Sequence, residues 1–338
     1  MNKEKPFLTN EYFDALKKIK DQIIQTQQNV ITAANIERNN LYWNIGKIII
    51  EYSKWGNKFI ETLSKDLRMT YPDTEGYSIR NLNYMKQFAT KVPTKEILHQ
   101  GVQNLSWRTI KILIDKTKNS EEYCWYLQQC TENGWSSIVL AHQIESKLYY
   151  RQKTAIKTTN FSKQLPKPFN EQAEEIIKDP YIFDFISTKK PFKEIELEDA
   201  LVQQITKLLL EFGTGFAFLG RQYPIKVGDK EFFVDLLFYN IKLHCYFVVE
   251  LKTVDFEPEF TGKLAFYLSA IDGELKSPTD NPTIGLLLCK GKNKMIAEYA
   301  LKDINKPMGI SEYKLSNKIS KEIQNSLPSI EDIEKRIN

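Results

Sequence analysis

Apolar residues recur every three to four positions along the first 150 residues, the spacing of amphipathic helices. Phe13, Leu16, Ile19, Ile23 and Ile24 open a helical stretch from about residue 9. Leu41, Trp43, Ile45 and Ile48 to Ile50 carry it to about residue 52, and Trp55-Gly56 marks a break. Further helices are predicted over about 57–68, 94–117, 119–131 and 136–152, with Trp107, Trp125 and Trp135 as packing anchors. A turn with Pro72, Asp73 and Gly76 leads to Ser78, a side chain suited to cap a helix. In that helix Ile79, Leu82 and Met85 are expected inward, and Arg80, Asn81, Asn83, Tyr84 and Lys86 outward. Helix, glycine-containing turn and helix fit a helix-turn-helix, with Arg80, Asn81 and Lys86 as candidate nucleic-acid contacts; any exposed amphipathic helix has a similar look. No strand pattern precedes residue 180, so residues 1–150 are predicted as an all-α domain.

Residues 151–185 read as a basic linker: positions 151–170 hold five Lys or Arg, two prolines and no acid. The pattern then changes. A helix over Glu198–Glu211 carries Leu201, Val202, Ile205, Leu208 and Leu209 on its inner stripe, and Glu198 shares that face. Phe216–Ile225 is a predicted strand and Val227–Lys230 a tight turn. Phe232–Lys252 reads as two strands about the hinge Asn240-Ile241-Lys242, because β-branched and aromatic residues suit a buried, pleated surface. A helix over about 259–271, a buried strand from Pro282 to Cys289, a helix over 292–302 and a short edge strand from Gly309 to Tyr313 follow. Ser329-Ile330-Glu331-Asp332 resembles the start of a terminal helix.

Asp235, Glu250 and Lys252 interrupt or end the two central strands. A charge in a buried strand is costly unless it is paired or binds a metal. With pairing symmetric about roughly residue 242, Asp235 lies nearly opposite Glu250, at the ~5 Å separation of cross-strand neighbours. Glu250 and Lys252, two apart, face one side. Two carboxylates and an ammonium therefore converge, a set that suits a hard divalent cation or, in the plainer alternative, a structural ion pair between strands. Glu198 is either a fourth member of this group or a carboxylate favoured at a helix start.

Composition narrows the function classes. At 338 residues, with 42% hydrophobic and 12% aromatic content, two domains with real cores are expected. No apolar run reaches the ~18 residues of a membrane span, and the first residues lack an apolar signal region, so a cytoplasmic protein is expected. The spacings of Cys124, Cys130, Cys245 and Cys289 match no zinc pattern, and the last two read as core thiols. The net charge of +4 is uneven: +4 over 1–150, +5 over 151–170 and −5 over 171–338. A basic first half is compatible with nucleic acid, as with a merely solvated surface.

The order helix with Glu198, strand, strand with Asp235, strand with Glu250-Leu251-Lys252, helix, strand resembles the αβββαβ core of the PD-(D/E)XK nuclease superfamily. Val234 stands where that superfamily often carries a proline. Gly-Arg-Gln (220–222), Asp-Leu-Leu-Phe-Tyr (235–239), Val-Glu-Leu-Lys (249–252), Phe-Tyr-Leu-Ser-Ala (266–270) and Gly-Leu-Leu-Leu-Cys-Lys (285–290) are similar to the YhcG-like family of predicted bacterial nucleases. So are Tyr-Trp-Asn-Ile-Gly (42–46), Trp55-Gly56 and Ser78-Ile79-Arg80-Asn81-Leu82, so that the resemblance spans nearly the whole chain.

The resemblance implies a helical, winged-helix-like amino-terminal domain over 1–150 and a restriction-endonuclease-like domain over 186–338. It implies an endonuclease acting on DNA, in a defence or DNA-processing setting. Asp235, Glu250, the Leu251 carbonyl and Glu198 would hold Mg²⁺ or Mn²⁺, and Lys252 would position the attacking water. Arg221, Lys263 and Tyr267 would contact phosphate. Lys263 occupies a position where the family often has glutamine, in a Gln-X-X-X-Tyr pattern like that of RecB-type nucleases; lysine reaches a phosphate but cannot accept a hydrogen bond. The competing reading is a nucleic-acid-binding or accessory subunit, and a homodimer or partner complex is compatible with either.

Overall fold

The computed structural model describes residues 10–52, 58–186 and 193–315. The chain divides into two compact units, Met1–Ile144 and Glu145–Asn338. The first is helical: α1 Asn10–Glu51, α2 Lys58–Thr70, α3 Ile79–Lys91, α4 Lys95–His99, α5 Trp107–Lys116, α6 Ser120–Asn133 and α7 Ser137–Glu145. Its core gathers Trp43, Ile49, Leu82, Met85, Phe88, Ile110, Leu113, Tyr123 and Tyr126. The carboxyl-terminal part of α1 crosses α3 closely at Gly46, and the Trp43 indole donates to the Val92 carbonyl at 2.6 Å. By contrast Ile19, Ile23, Ile24, Val30 and Ile31, near the start of α1, are exposed.

Three expectations change in this unit. The single helix expected over 94–117 breaks into α4, a 3-10 turn at Val102–Asn104 and α5. Gly101 sits at φ 96 and Leu105 is extended. Asn39 ties the loop by donating to the Gln103 and Leu105 carbonyls, and Ser106 restarts the helix by accepting the Thr109 N–H. On α3 the inner face differs by two residues: Ile79 is 47% exposed, whereas Tyr84 is buried. Tyr84 can be buried because its hydroxyl donates to Asp115 at 2.6 Å. Ser78 does cap α3, accepting the Asn81 N–H. No strand occurs among the described residues of this unit, so no wing is seen there. The Trp55-Gly56 break lies outside the described residues.

The second unit takes in the whole stretch read as a linker. That stretch holds β1 Thr158–Thr159, α8 Phe161–Gln164, α9 Phe169–Ile176 and β2 Tyr181–Ile182. Its apolar residues Phe161, Phe169, Ile177, Tyr181 and Phe183 are buried in the unit's core. Arg151 grips Glu211 at 2.5 and 3.3 Å, and the Ile182 N–H donates to the same carboxylate at 2.9 Å. The basic character of the stretch thus serves internal pairing in part.

The chain continues through α10 Glu194–Gln203, α11 Ile205–Phe212, β3 Phe216–Val227, β4 Lys230–Asn240, β5 Cys245–Leu251, α12 Phe260–Glu274, β6 Ile284–Cys289, α13 Lys294–Leu301 and β7 Met308–Lys314. From α10 to β6 this is the αβββαβ order read from the sequence, except that the single helix expected over Glu198–Glu211 is divided at Gln204 into α10 and α11. The strands form one mixed sheet in the order β1-β7-β6-β5-β4-β3, with β2 also on β7. β3, β4 and β5 are antiparallel neighbours, and β5, β6 and β7 run parallel. β7 is therefore interior, not the edge strand expected, because β1 and β2 cover its remaining edge. Asn240 turns the hinge by accepting the Lys242 and Leu243 N–H groups. Alternation along β5 and β6 sends Phe247, Val249, Leu251, Ile284, Leu286 and Leu288 to one core. Val248, Leu287 and Cys289 go to another, packed against α12 and α13. Cys245 and Cys289 are core thiols, pushed up to about 12 by burial. The helix expected from Ser329 lies outside the described residues, and no helix among those described is long and apolar enough to cross a membrane.

A Cβ at Gly46 would stand 2.0 Å from the Met85 carbonyl oxygen and 2.8 Å from Ala89 Cβ. Gly46→Ala should force α1 and α3 apart at a cost of about 1–3 kcal/mol, the range for overpacking. The check is a lower denaturant midpoint with the far-ultraviolet spectrum retained.

Candidate active site

The strand ladder brings the charges together. β4 and β5 pair as far as Leu236↔Val249, and one more step of the same register sets Asp235 across from Glu250. Main-chain pairing ends there, and the Asp235 carboxylate takes over, accepting the Leu251 N–H at 2.9 Å. Asp235 and Glu250 are 5% and 0% exposed. Such burial is tolerable only with counter-charge. Two lysines supply it. Lys252, the residue just past the end of β5, reaches Glu250 Oε1 at 3.1 Å and Glu194 on α10 at 2.9 Å. Lys263, on α12, reaches the same Glu250 oxygen at 2.5 Å and Asp235 Oδ1 at 3.9 Å. Glu250 Oε2 is buried with no hydrogen-bond partner.

Electrostatics follow from this packing. Burial, then the Glu250 charge, pushes the Asp235 carboxyl up to about 7. Burial is the largest single influence and opposes the charge on both lysines, but Glu250 together with Glu194 at Lys252, and Glu250 together with Asp235 at Lys263, holds each ammonium above its usual range. Glu198, buried on α10, is raised mainly by burial. The Gln222 amide donates to Glu198 Oε2 at 2.7 Å. Gln222 lies on β3 between Arg221↔Leu236 and Tyr223↔Val234, which sets it beside Asp235, and its φ of 45 is unusual for a non-glycine residue.

Of the residues singled out in the sequence, Asp235, Glu250, Lys252 and Lys263 form one contact cluster. Glu198 is held to Gln222, and Arg221 pairs with Asp199. Tyr267 is buried, its ring 5.3 Å from the Lys263 ammonium. Leu251 enters through its N–H. Pattern reading missed Glu194 and Gln222. Glu194 carries one usable signal, its position one turn before Glu198 on the same helix face. Gln222 carries none beyond being polar within a strand.

The comparisons follow this division of the chain. The YhcG PDDEXK nuclease domain matches residues 174–328, and the DUF1016 N-terminal domain matches residues 18–151. The Escherichia coli (strain K12) protein named "Putative nuclease YhcG" is 28% identical over 322 residues, 84% of this chain and 85% of its own length. The chain belongs to the YhcG-like family. Among solved structures, a repair endonuclease from Pyrococcus abyssi is 16% identical, covering 39% of this chain and 50% of its own, with a TM-score of 0.27. An EndoMS–dsDNA complex is 19% identical over 40% and 50%, also at 0.27. The chain spans about half the length of these two, and the family assignment rests on the domain matches.

For a YhcG-like chain the donor set can be tested against a divalent ion. Among the described residues no three His, Cys, Asp or Glu side chains converge as a metal cluster. Two buried carboxylates do, and one of their oxygens, Glu250 Oε2, is unpartnered. Mg²⁺ is commonly held by one or two carboxylates while keeping several waters. The residues present therefore fit a hard divalent cation, with Glu198 near enough to raise Asp235 further.

In the family's amino-terminal region, Arg80, Arg108 and Lys111 line a cleft of about 310 Å³ with Tyr84 and Asp115. Arg80 donates to the Tyr84 hydroxyl at 3.3 Å. Asn81 serves an internal role: it donates to the Gly76 carbonyl and accepts from the Trp107 indole at 2.8 Å. Lys86, farther along α3, is half-buried.

The raised Asp235 carboxyl makes stability pH-dependent. Protonated more readily in the folded than in the unfolded chain, it contributes stability that is complete below about pH 4 and is lost as pH rises through about 7. Asp235→Asn keeps an acceptor for the Leu251 N–H and removes the charge. It should gain on the order of 2–4 kcal/mol over wild type at pH 8 and almost nothing at pH 4. Urea melts at the two pH values check this.

Proposed function

We propose that this chain is a Mg²⁺- or Mn²⁺-dependent endonuclease that hydrolyses phosphodiester bonds, in DNA before RNA. The observation that carries the reading is the pair of buried carboxylates, Asp235 and Glu250, gathered where β4 and β5 part, with Lys252 against them. The PDDEXK nuclease match over residues 174–328 supports the same class of reaction. Asp235, Glu250 and the Leu251 carbonyl would hold the ion, with Glu198 as a further oxygen donor. When bound, the ion supplies Lewis-acid polarisation and a water of lowered pKa. Lys252, kept charged by Glu250 and Glu194, orients the attacking water and offsets charge developing on the phosphoryl oxygens. Glu198, steadied by Gln222, is the carboxylate available to the water's proton. Arg221 lies one strand position from Gln222 and is a third exposed, so it can exchange Asp199 for a substrate phosphate.

In the amino-terminal unit, Arg80, Arg108 and Lys111 offer phosphate contacts, in keeping with the basic excess of residues 1–170. Lys86 on α3 adds to these as a non-specific contact. Asn81 is a support for this surface, since its amide is already engaged. The helix-turn-helix reading thus rests on α2, the turn and α3, with arginine and lysine side chains as the contacts.

Cleavage of labelled single- and double-stranded DNA and RNA in Mg²⁺ or Mn²⁺ tests the site. Asp235→Ala and Glu250→Ala should each cut the rate at least ~100-fold, the scale for losing one preorganised group that supports transition-state charge; equal rates in wild type and variants would sink the assignment. Arg80→Ala should weaken DNA binding uniformly across sequences and reduce the salt slope by about 1. Unchanged salt dependence would remove α3 from the interface.

A further inference from the structure

The Asp235–Glu250 pair already holds a cation supplied by the chain itself. The Lys263 ammonium lies 2.5 Å from Glu250 Oε1 and 3.9 Å from Asp235 Oδ1, so it bridges the two carboxylates from α12. The Tyr267 ring, one turn along the same helix, lies 5.3 Å from it and favours the positive charge. Lys252 touches the same Glu250 oxygen, but the two lysines are held differently. Lys252 is fastened by Glu194 and its side chain is 9% exposed; that of Lys263 is 45% exposed. A lysine is a compact charge on a flexible four-carbon stem. Lys263 can withdraw into water at small cost, and Lys252 cannot.

A divalent ion taken up by the same oxygens would meet the Lys263 charge at contact distance. Two like charges a few ångströms apart in a half-buried site repel strongly, so both cannot be seated at once. We propose that Lys263 is a displaceable counter-ion that competes with the divalent ion for Asp235 and Glu250, so that the site loads metal only as the Lys263 side chain leaves. This rests on the reading of Asp235 and Glu250 as the metal-binding pair. Lys263 thereby stabilises the two buried acids in the metal-free protein and sets the metal concentration at which the site fills.

The test is Mn²⁺ binding by calorimetry on the full chain, comparing wild type, Lys263→Gln, Lys263→Met and Asp235→Ala. Both Lys263 variants should bind Mn²⁺ at least tenfold more tightly than wild type, and Asp235→Ala should lose binding. A second measurement needs no variant: acylation of the Lys263 amine, followed by peptide mass spectrometry, should speed up severalfold when Mn²⁺ is added to wild type. Equal or weaker binding by Lys263→Gln, or acylation that Mn²⁺ leaves unchanged, overturns the proposal. If Asp235→Ala loses binding while Lys263→Gln matches wild type, the competition alone falls. If Mn²⁺ binds wild type and Asp235→Ala alike, the metal-binding pair of the proposed function falls with it.

Discussion

Two carboxylates buried at the end of a central strand pair are the constraint around which the second unit is arranged. Neither Asp235 nor Glu250 can sit there charged without compensation, because the interior does not solvate ions as water does. The fold answers from several elements at once. β5 contributes a main-chain N–H and the residue after it Lys252, α12 contributes Lys263, and α10 contributes Glu194, which holds Lys252 in turn. The compensation is incomplete: Asp235 is held well above the usual carboxylate range, and one Glu250 oxygen has no partner. A structural ion pair would be expected to close on itself. A pair of acids left short of positive charge is instead suited to exchange an exposed lysine for a more highly charged cation.

The sheet makes that arrangement rigid. Glu250 lies on β5, which has a strand on either side; its backbone pairs with Leu287 of β6, and the ladder to β4 runs up to the residue before it. The register of β4 against β5 is held by the Asn240 turn at one end and ends at the other where Asp235 replaces the ladder. The far edge is closed by chain that comes before the nuclease-like core. Residues 151–182 wrap to β7 through β1 and β2, and Arg151 and Ile182 meet at Glu211. Prolines, and the absence of acid over residues 151–170, made this stretch resemble a linker. Its phenylalanines and isoleucines are what fold it into the core.

In the amino-terminal unit the corresponding device is close helix contact. Gly46 lets α1 lie against the α3 backbone, while Asn39, Trp43, Asn81 and Tyr84 direct their polar atoms to specific partners inside the unit. Asn81 and Tyr84 could be read from sequence as surface side chains because helical periodicity marks faces by polarity. It does not register that a polar group is satisfied within the core.

Much of this protein was legible in its sequence. Alternating and helical periodicities gave the all-α first part and the αβββαβ order of the second. Charges inside apolar strands marked Asp235, Glu250 and Lys252, and hinge symmetry brought the first two opposite each other. These are local or one-hairpin properties, set by patterns of 2.0 and 3.6 residues. What only the tertiary structure decided involves partners distant in the chain. Lys263 meeting Glu250, Gln222 meeting Glu198, Glu194 meeting Lys252 and the interior position of β7 all depend on which elements pack side by side. Sequence spacing carries no record of that choice, because it is made by the burial of whole apolar faces against one another.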